Sequence, residues 1–450
     1  MTAQGSWRAC VDFGTAASKV SLCAPPHFGA RALERIRPLA VGTAAQETTP
    51  YMAQSSLLFD NGRIYFGAHA LERASDAEAN LLQSFKMFFG AHDLDEALRS
   101  RLRRDVDASG QFSQRDALVL YVAYLMRLAE NAMAADPGLP QEALLAPRRY
   151  AHPQWRAGAM ANVVMTAIFD EAAALPAAVT AAALSPEGLE APAARAALDE
   201  ARQRPRDGRI ETGVFEAQAA AECHFAFAEH APDHVLVLDM GAGTTDITGF
   251  AIAAGRTGRV MREIEPIRVT APLACDTLDR ILVAMMVDKV KTERRKGARK
   301  QFWRRLSLRA RRLKETLFRE GACEAVCDGQ RIVLRLSEFL GKRPFNEFRA
   351  AMLSLYAEAL AKLAARAVEA GRDEIGVVLA GGGASLPLIQ QMAQRARPKT
   401  ARIRRVLVQP IVPDWARGGA FHPSIAPVFP QLSISIGGAV AALQPLEARF

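Results

Sequence analysis

Two apolar runs that each end in aspartate and a glycine turn dominate the hydrophobic pattern of the chain. The first covers residues 10–12 and leads into the turn at 13–16, and the second covers 235–239 and leads into the turn at 241–245. Continuous apolar runs between turn signals are typical of strands that are buried on both faces. After each turn the chain resumes with apolar residues suited to a second strand. Both segments are therefore predicted to form β-hairpins.

The rest of the pattern predicts further hairpins, strands and helices. Asn-Gly at 61–62 and Asp-Gly at 328–329 separate apolar runs and are hairpin signals. Other strands are predicted at 30–39, 56–59, 64–66, 143–146, 264–269 and 374–380. Helices are predicted at 81–89, 276–290 and 345–369, after Pro387, and up to residue 133 from an N-cap at Ser113. The Ala-, Pro- and Arg-rich residues 172–209 are expected to form, in part, a peripheral insertion.

Length and composition favour a globular protein of two domains. Half of the 450 residues are hydrophobic, which is enough to bury two cores. The six cysteines are scattered and are interpreted as reduced core residues. No secretory signal is evident, and the longest Ala-rich apolar segment, 172–184, is interrupted by Pro176 and is too short to span a bilayer. These features predict a cytoplasmic protein without a transmembrane segment.

The net charge of +9 comes from one part of the chain. Residues 289–314 contain 13 Lys or Arg and a single acid, Glu293, so the remainder is slightly acidic. Apolar residues lie between these charges at spacings that suit one or two helices. We interpret this basic segment either as a solvated helical face with its apolar side on a core, or as a surface for a partner. A protein partner is favoured over nucleic acid or a membrane surface.

The glycine turns have the chemistry of a phosphate-binding site. Gly241 and Gly243 permit backbone conformations in which amide N–H groups converge on an anion, and Thr244 and Thr245 add hydroxyl donors. Neither a P-loop nor a dinucleotide-binding fingerprint fits these hairpins, because both lead into a helix. A third turn, 381–383, consists of three glycines between a predicted strand and a predicted helix. The two hairpins suggest two related halves that each hold one side of a nucleoside triphosphate.

Five motifs, in this order, resemble the nucleotide-binding domain of the DnaK-type (heat shock protein 70) chaperones, within the actin, hexokinase and DnaK ATPase superfamily. They are residues 12–18, 215–221, 239–246, 381–387 and 436–440. The resemblance implies an α/β, two-lobed actin-like ATPase fold with ribonuclease H-like duplicated domains and a nucleotide cleft between the lobes. It implies lobe I at 1–230 with the insertion near 172–209, lobe II at 231–430 with the basic segment, and a C-terminal helix at 431–450 that returns to lobe I. A peptide-binding domain is not expected.

The resemblance also implies ATP or ADP with Mg²⁺ as cofactors and assigns roles to individual residues. Mg²⁺ would be held, mainly through water, by Asp12, Asp239 and Asp246. Glu216 would orient the attacking water. The implied catalytic set is Asp12, Glu216, Asp239 and Thr244. The implied nucleotide-binding set is Gly14, Thr15, Ala16, Gly241, Ala242, Gly243, Thr244, Thr245, Lys314, Gly381, Gly382 and Gly383.

One departure from the family pattern predicts weak catalysis. The family has a catalytic lysine where an alignment on Gly67 and Lys86 places Leu71. A leucine cannot hold a phosphate or position water, so turnover is expected to fall by about a hundred- to a thousandfold. His69 or Arg73 could in principle substitute for the missing charge.

Three functions are consistent with these residues. The first is a DnaK-like ATP-binding protein with weak or regulated ATPase activity and a chaperone-type role. The second is a non-catalytic nucleotide-sensing interaction module, which Leu71 favours. The third is an actin-like filament former or a small-molecule kinase of the same superfamily. Adenine selectivity stays open, because Lys314 of the family's base site is retained while Ser385 replaces an arginine.

Overall fold

A computed structural model describes residues 6–26, 32–43, 49–74, 77, 80–153, 158–204, 208–228, 230–255, 258–291, 297–417, 421, 423–440 and 446–447. They form a mixed α/β chain with several sheets. The chain divides into two compact units. The first unit comprises Met1–Ala231, Ala253–Met261 and Gln409–Glu447, and the second comprises Pro232–Ile252, Arg262–Val408 and Ala448–Phe450. Residues 409–430, which the predicted boundary placed in the second lobe, thus group with the first unit.

The first unit alternates short strands with helices. Its strands are β1 (Arg8–Asp12), β2 (Ala17–Cys23), β3 (Ile36–Pro38), β4 (Ala53–Gln54), β5 (Ser56–Asp60), β6 (Arg63–Phe66), β7 (Leu82–Gln83), β8 (Arg148–His152), β9 (Leu189–Glu190) and β10 (Val214–Phe215). Its helices are α1 (Ala32–Arg35), α2 (Gly67–Ala74), α3 (Leu94–Arg99), α4 (Gln114–Ala135), α5 (Gln141–Leu144), α6 (Ala159–Ala173), α7 (Ala177–Ala182), α8 (Ala191–Ala201), α9 (Glu216–Phe225), a 3-10 helix at Phe85–Gly90 and the C-terminal helix Phe429–Ala439.

The main sheet of the first unit has the order β10-β8-β1-β2-β3. β1 and β2 form the antiparallel hairpin predicted from the sequence, with Asp12 opposite Lys19. β8 runs parallel to β1 on one side and to β10 on the other. The carboxyl ends of three parallel strands therefore lie together, where α/β proteins commonly bind ligands. We call this place the first edge; it carries Asp12, His152 and Glu216.

A smaller sheet, ordered β7-β5-β6-β9, completes the first unit. Its β5–β6 hairpin turns at Asn61 and Gly62, as predicted. Helix α4 begins at the predicted N-cap: the Ser113 hydroxyl accepts from the Asp116 backbone N–H, and the Asp116 carboxylate caps Ser113 in return. Within the described ranges α4 is the one helix long and apolar enough to cross a membrane, but most of it is buried in the core of the unit.

Residues 172–209 divide between the surface and the core. Helix α7 has no buried residue. Helix α8 buries four residues in the core of the first unit: Ala194, Ala197, Leu198 and Ala201. Arg195 and Arg202 of α8 also bind Asp116 at the start of α4. Helix α8 thus packs on the core of the first unit, which the Ala-rich composition of the segment did not indicate. Residues 205–207 lie outside the described ranges.

The C-terminal helix packs very closely on α9. A Cβ at Gly437 would lie 1.8 Å from the carbonyl oxygen of Ala219, and a Cβ at Gly438 would lie 2.4 Å from the Cys10 Sγ. Only glycine permits this approach. The contact fixes the axis of α9, whose first residue is Glu216.

From residue 232 onwards the chain repeats part of this plan. The strands are β11 (His234–Met240), β12 (Thr245–Gly255), β13 (Gly258–Glu263), β14 (Val269–Ala271), β15 (Ala322–Cys327), β16 (Gln330–Arg335), β17 (Glu374–Ala380) and β18 (Arg405–Val408). The helices are α10 (Cys275–Asp288), α11 (Ala298–Glu320), α12 (Leu336–Leu340), α13 (Arg343–Glu369) and α14 (Pro387–Arg395). β11 and β12 form the second predicted hairpin, with β17 parallel to β11 and β18 parallel to β17. An antiparallel hairpin beside two parallel strands therefore occurs in both units.

Helices α10, α11 and α13 and the β15–β16 hairpin cover the core of the second unit. The hairpin turns at Asp328 and Gly329, both with positive φ, as predicted. Cys323 and Cys327 lie buried on its inner face. The helices predicted at 276–290 and 345–369 are confirmed as α10 and α13.

Four short predicted elements differ from the structure. Residues 143–144 end helix α5, and the neighbouring strand is β8. The segment 81–89 is β7 followed by the 3-10 helix, and the segment 264–269 is a 3-10 helix, Glu265–Ile267, before β14. The segment 30–39 is α1 followed by β3, with 30–31 outside the described ranges. Short apolar runs do not distinguish a strand from one helical turn.

The first unit contains a buried histidine, His224, and we therefore expect the free energy of unfolding of this unit to fall in acid. Burial lowers the pKa of His224, in the last turn of α9, to about 4, and neither ring nitrogen has a hydrogen-bond partner among the described residues. Between about pH 6.5 and pH 4 the unfolded chain binds a proton here and the folded chain does not, so this part of the stability is lost as the pH falls. Lowering the pH from about 6.5 to 5 is expected to cost about 2 kcal/mol.

Denaturant unfolding at both pH values measures this loss. In His224→Leu the loss is expected to be smaller by the same amount, because the titrating group is absent. Equal pH dependence in the two proteins would show that His224 is not the group responsible.

Candidate functional site

The tip of the first hairpin holds an acid–base pair. Lys19 Nζ donates to Asp12 Oδ2 at 2.9 Å, and Asp12 is only 2% exposed. The turn residues 14–16 are half-buried. A Cβ at Gly14 would lie 2.2 Å from the carbonyl oxygen of Ala17, so the turn itself requires glycine. The tip therefore offers partly exposed backbone beside a neutralised aspartate.

A second acid–base pair lies at the first edge. Glu216 is the first residue of α9 and follows β10 directly. Lys86, from the 3-10 helix Phe85–Gly90, donates through Nζ to Glu216 Oε1. The two residues are 9% and 8% exposed, respectively. The helix dipole at the start of α9 also favours the Glu216 carboxylate.

His152 ends β8, the strand that lies between β1 and β10. Its Nδ1 is 2.9 Å from the carbonyl oxygen of Pro153. Burial lowers the pKa of His152. The hydrogen bond with the Pro153 carbonyl opposes part of this shift, and the Lys86 charge adds a smaller lowering of the pKa. A neutral imidazole is therefore favoured at the first edge at neutral pH.

At the second hairpin two acids face each other instead. Asp239 and Asp246 are cross-strand partners, so their side chains project from the same face of the sheet. Asp246 accepts hydrogen bonds from the hydroxyls of Thr244 at 2.9 Å and Thr270 at 2.5 Å. Like charges directly opposite each other destabilise a hairpin. A bound divalent cation would remove this cost, as Lys19 does at the corresponding position of the first hairpin.

This donor set fits a hydrated Mg²⁺. Hard cations prefer oxygen ligands, and Mg²⁺ keeps several of its waters. Within the described ranges no group of three or more His, Cys, Asp and Glu side chains could hold a metal, so few direct ligands would be available. The acids Asp239 and Asp246 suit such a cation better than Asp12, because Lys19 already engages one oxygen of Asp12.

The tip of the second hairpin is tied to α10. Gly241 N–H donates to the Thr244 carbonyl at 3.0 Å and closes the turn. The carbonyls of residues 241 and 242 accept from the first backbone N–H groups of α10. Residues 241–244 are half-buried, whereas Thr245 is fully buried and donates its hydroxyl to the Leu273 carbonyl at 2.5 Å. Thr245 is thus an internal hydroxyl donor in this structure, and its role as a phosphate donor stays a prediction.

The three-glycine turn 381–383 packs against the end of β11. Gly381 has φ +78°, and a Cβ there would lie 2.3 Å from Asp239 Oδ1 and 2.5 Å from the Met240 carbonyl oxygen. A Cβ at Gly383 would lie 2.3 Å from the Met240 side chain. At these two positions glycine allows close packing on the chain itself. The turn holds Asp239 in place.

Lys314, predicted to bind nucleotide, makes a buried ion pair within the second unit. Its Nζ lies 2.9 Å from Asp279 Oδ1 and donates to the Cys275 carbonyl at 3.2 Å. Burial works against the charge of Lys314, but Cys275 and Asp279 outweigh it and raise the pKa of Lys314. The lysine is therefore charged, and it links α11 to the first turn of α10.

Helix α2 offers no obvious replacement for the lysine lost at Leu71. Leu71 itself is half-buried on α2. Arg73 binds Asp60 at 3.0 Å and lies over the Tyr65 ring. His69 lies 3.7 Å from Glu72 on the same helix. The two substitutes considered from the sequence thus have partners within α2 or on its neighbours β5 and β6.

The basic segment 289–314 is mainly the first two-thirds of α11. Its apolar side is buried in the core of the second unit through Phe302 and Leu306. Six basic residues of this part of the helix are exposed: Arg299, Lys300, Arg304, Arg305, Arg309 and Arg312. Trp303 is 44% exposed among them. Residues 292–296 lie outside the described ranges.

Three residues at these sites were not recognised from the sequence. Lys19 and Lys86 pair with predicted site acids, and His152 lies between those acids on the central strand. Lys19 could have been identified from the sequence, because pairing the two strands of the first predicted hairpin places Lys19 opposite Asp12. Lys86 was used only to align the sequence with the family pattern. No local pattern connects it to Glu216, the first residue of α9, which is 130 residues away.

Comparisons with known proteins match a part of the chain that includes several of the site residues. Residues 214–404 match the family described as Hsp70 protein. No curated protein matches the chain. Domains of this family bind ATP or ADP, typically with Mg²⁺. The match to the family therefore suggests an ATP-binding, chaperone-like role. The matched residues include Glu216, the second hairpin and the 381–383 turn. The resemblance is therefore confirmed over residues 214–404, whose family match is consistent with an Hsp70-type nucleotide-binding domain.

Proposed function

We propose that the chain is a cytoplasmic, DnaK-like ATP-binding protein with weak or regulated ATPase activity and a chaperone-type role. The observation that carries this proposal is the repetition, in both units, of a hairpin whose first strand has an aspartate as its last or penultimate residue and has a parallel neighbour. The family match over residues 214–404 supports ATP or ADP as the ligand. In this proposal the two units correspond to the two lobes of an actin-like ATPase fold.

The residues divide the work of binding. Backbone amides at the hairpin tips, 14–16 in the first unit and 242–244 in the second, donate to phosphate oxygens, as glycine turns of this kind suit. Asp239 and Asp246 hold Mg²⁺, and when bound the cation offsets the charge of the phosphates. Lys314 fixes α10 against α11, and α10 in turn is bonded to the tip of the second hairpin.

Hydrolysis in this proposal depends on Glu216. A water oxygen bonds to the γ-phosphorus while the bond from that phosphorus to the bridging oxygen breaks, which releases ADP. Glu216 orients the water, accepts its proton and passes it to solvent. The products are ADP, inorganic phosphate and one proton.

The exposed side of α11 supports a second function, as an interaction module that nucleotide regulates. Its basic residues and Trp303 form a positive surface that would suit an acidic protein segment. The apolar side of the same helix is occupied by the core of the second unit, so a partner would contact only the charged side. Catalysis is not needed for this function.

Calorimetric titration with ATP and with ADP, with and without Mg²⁺, tests the proposal, with CTP as the control ligand. Phosphate release is followed on the same samples. Binding of adenine nucleotides together with slow release is the expected result. Binding without release would favour the interaction module, and pelleting after ATP addition would favour a filament former. Absence of binding would overturn nucleotide function altogether.

A further inference from the structure

The buried pair of Lys86 and Glu216 is unusual for a purely structural contact. The two side chains come from elements 130 residues apart. Burying both charges carries a desolvation cost that their attraction often only offsets, so such a pair is weak evidence of a stabilising role. The carboxylate of Glu216 already has the start of α9 to stabilise it. A lysine here adds something that the helix end does not supply, namely a formal positive charge at the first edge.

The charges around this pair suit a polyanion. Two acids, Asp12 and Glu216, stand at the ends of β1 and β10 and alone would repel phosphate. Each has a lysine partner, Lys19 and Lys86 respectively. His152, between them, is favoured in its neutral form. The first edge therefore presents ammonium groups and an uncharged imidazole next to the carboxylate that would orient water.

On α2, by contrast, the groups considered as replacements are engaged elsewhere. Arg73 binds Asp60 on β5, and His69 lies against Glu72. Leu71 has no charge. Lys86, on the 3-10 helix Phe85–Gly90, is also paired, but its partner is Glu216, the acid that is proposed to orient the water.

We propose that Lys86 supplies the positive charge that contacts the terminal phosphate of ATP at this site. The inference rests on the proposed function, since it names the group that recognises the phosphate which is lost on hydrolysis. Lys86 stabilises the negative charge of the γ-phosphoryl group while Glu216 orients the water. Lys86 undergoes no covalent change. The proton of the water passes through Glu216 to solvent, and ADP is the leaving group. ADP lacks this phosphate and gains little from Lys86.

The test compares ATP with ADP binding in proteins that do not hydrolyse. Glu216→Gln retains the ammonium of Lys86, whereas the double variant Lys86→Met/Glu216→Gln removes both charges and so leaves no unpaired buried charge. Calorimetry with each nucleotide in the presence of Mg²⁺ gives the two affinities. The double variant is expected to lose about tenfold or more in ATP affinity relative to Glu216→Gln, with ADP affinity changed by less than about threefold.

Lys362→Met in the same Glu216→Gln background is the matched control. Lys362 pairs with Glu358 on the exposed side of α13, so its loss should change neither affinity. Leu71→Lys in the wild-type chain is a second test. A gain in phosphate release of less than about threefold is expected, because the charge is already supplied; a gain of about tenfold or more would show that position 71 was vacant and would overturn the inference.

The outcomes separate the inference from the function beneath it. Selective loss of ATP affinity in the double variant supports the role of Lys86. Equal loss for ATP and ADP would make Lys86 a structural residue and overturn the inference, while nucleotide binding itself would stand. If neither the wild-type chain nor Glu216→Gln binds ATP or ADP, the proposed function fails and the inference fails with it.

Discussion

Glu216→Gln is expected to lower phosphate release from bound ATP by about a hundredfold or more and to leave ATP affinity within about threefold of the wild type. Glutamine keeps the shape of the side chain and its hydrogen bonds but cannot accept a proton. The carboxylate accepts a hydrogen bond from Lys86, and the helix dipole at the start of α9 favours its charge. Its loss should therefore affect the chemical step and not the docking of the nucleotide.

Single-turnover measurement is the right assay for an enzyme that is expected to be slow. Enzyme in excess over labelled ATP gives the rate of the chemical step without product release. Glu171→Gln is a suitable control, because Glu171 is also a partly buried carboxylate in an ion pair of the first unit, with Arg115. A Glu216→Gln protein that releases phosphate as fast as Glu171→Gln would leave Glu216 a structural role only.

The hairpins at the candidate site were predictable, because the pattern that determines each of them lies in one short run of consecutive residues. Asp12 and Asp239 both end apolar runs and precede glycine turns, and a two-residue period then determines which residues face each other. The N-cap at Ser113 was predictable for the same reason, since both halves of its capping box lie within four residues. Local patterns of this kind survive folding because tertiary contacts rarely oppose them.

What the sequence could not provide was the set of partners that neutralise the acids. Lys86 reaches Glu216 only because β10 and the 3-10 helix meet in the folded unit. The burial of α8 also depends on tertiary packing, since a helix rich in alanine has no apolar stripe large enough to indicate a core face. The hydrogen bond of the Thr245 hydroxyl was not predictable for a related reason: its acceptor is the Leu273 carbonyl, 28 residues further along the chain.

The turn at 381–383 illustrates how packing supports a site at a distance from it in sequence. Gly381 belongs to the loop after β17, and its Cα lies against the carboxylate of Asp239 at the end of β11. The two strands are parallel neighbours. Asp239 is one of the two acids that suit Mg²⁺, so its position depends on the absence of a side chain at 381.

Gly381→Ala is accordingly expected to weaken Mg²⁺-dependent nucleotide binding by about tenfold or more and to destabilise the second unit by about 2–4 kcal/mol. The added Cβ would lie 2.3 Å from Asp239 Oδ1, in a backbone conformation, φ +78° and ψ 172°, that is essentially restricted to glycine. Either the loop or the carboxylate must move. ATP titration with and without Mg²⁺, together with denaturant unfolding, measures both effects.

Gly371→Ala provides the comparison that isolates the clash. Gly371 follows α13 with φ +71°, and a Cβ there meets nothing within 4 Å, so this variant carries backbone strain of about 1–2 kcal/mol without steric displacement. Nucleotide affinity should stay at the wild-type level in Gly371→Ala. If Gly381→Ala lost only as much stability as Gly371→Ala and bound Mg²⁺ and ATP normally, the carboxylate of Asp239 would not depend on the turn. The role of Asp239 as the metal-holding acid would then need another support.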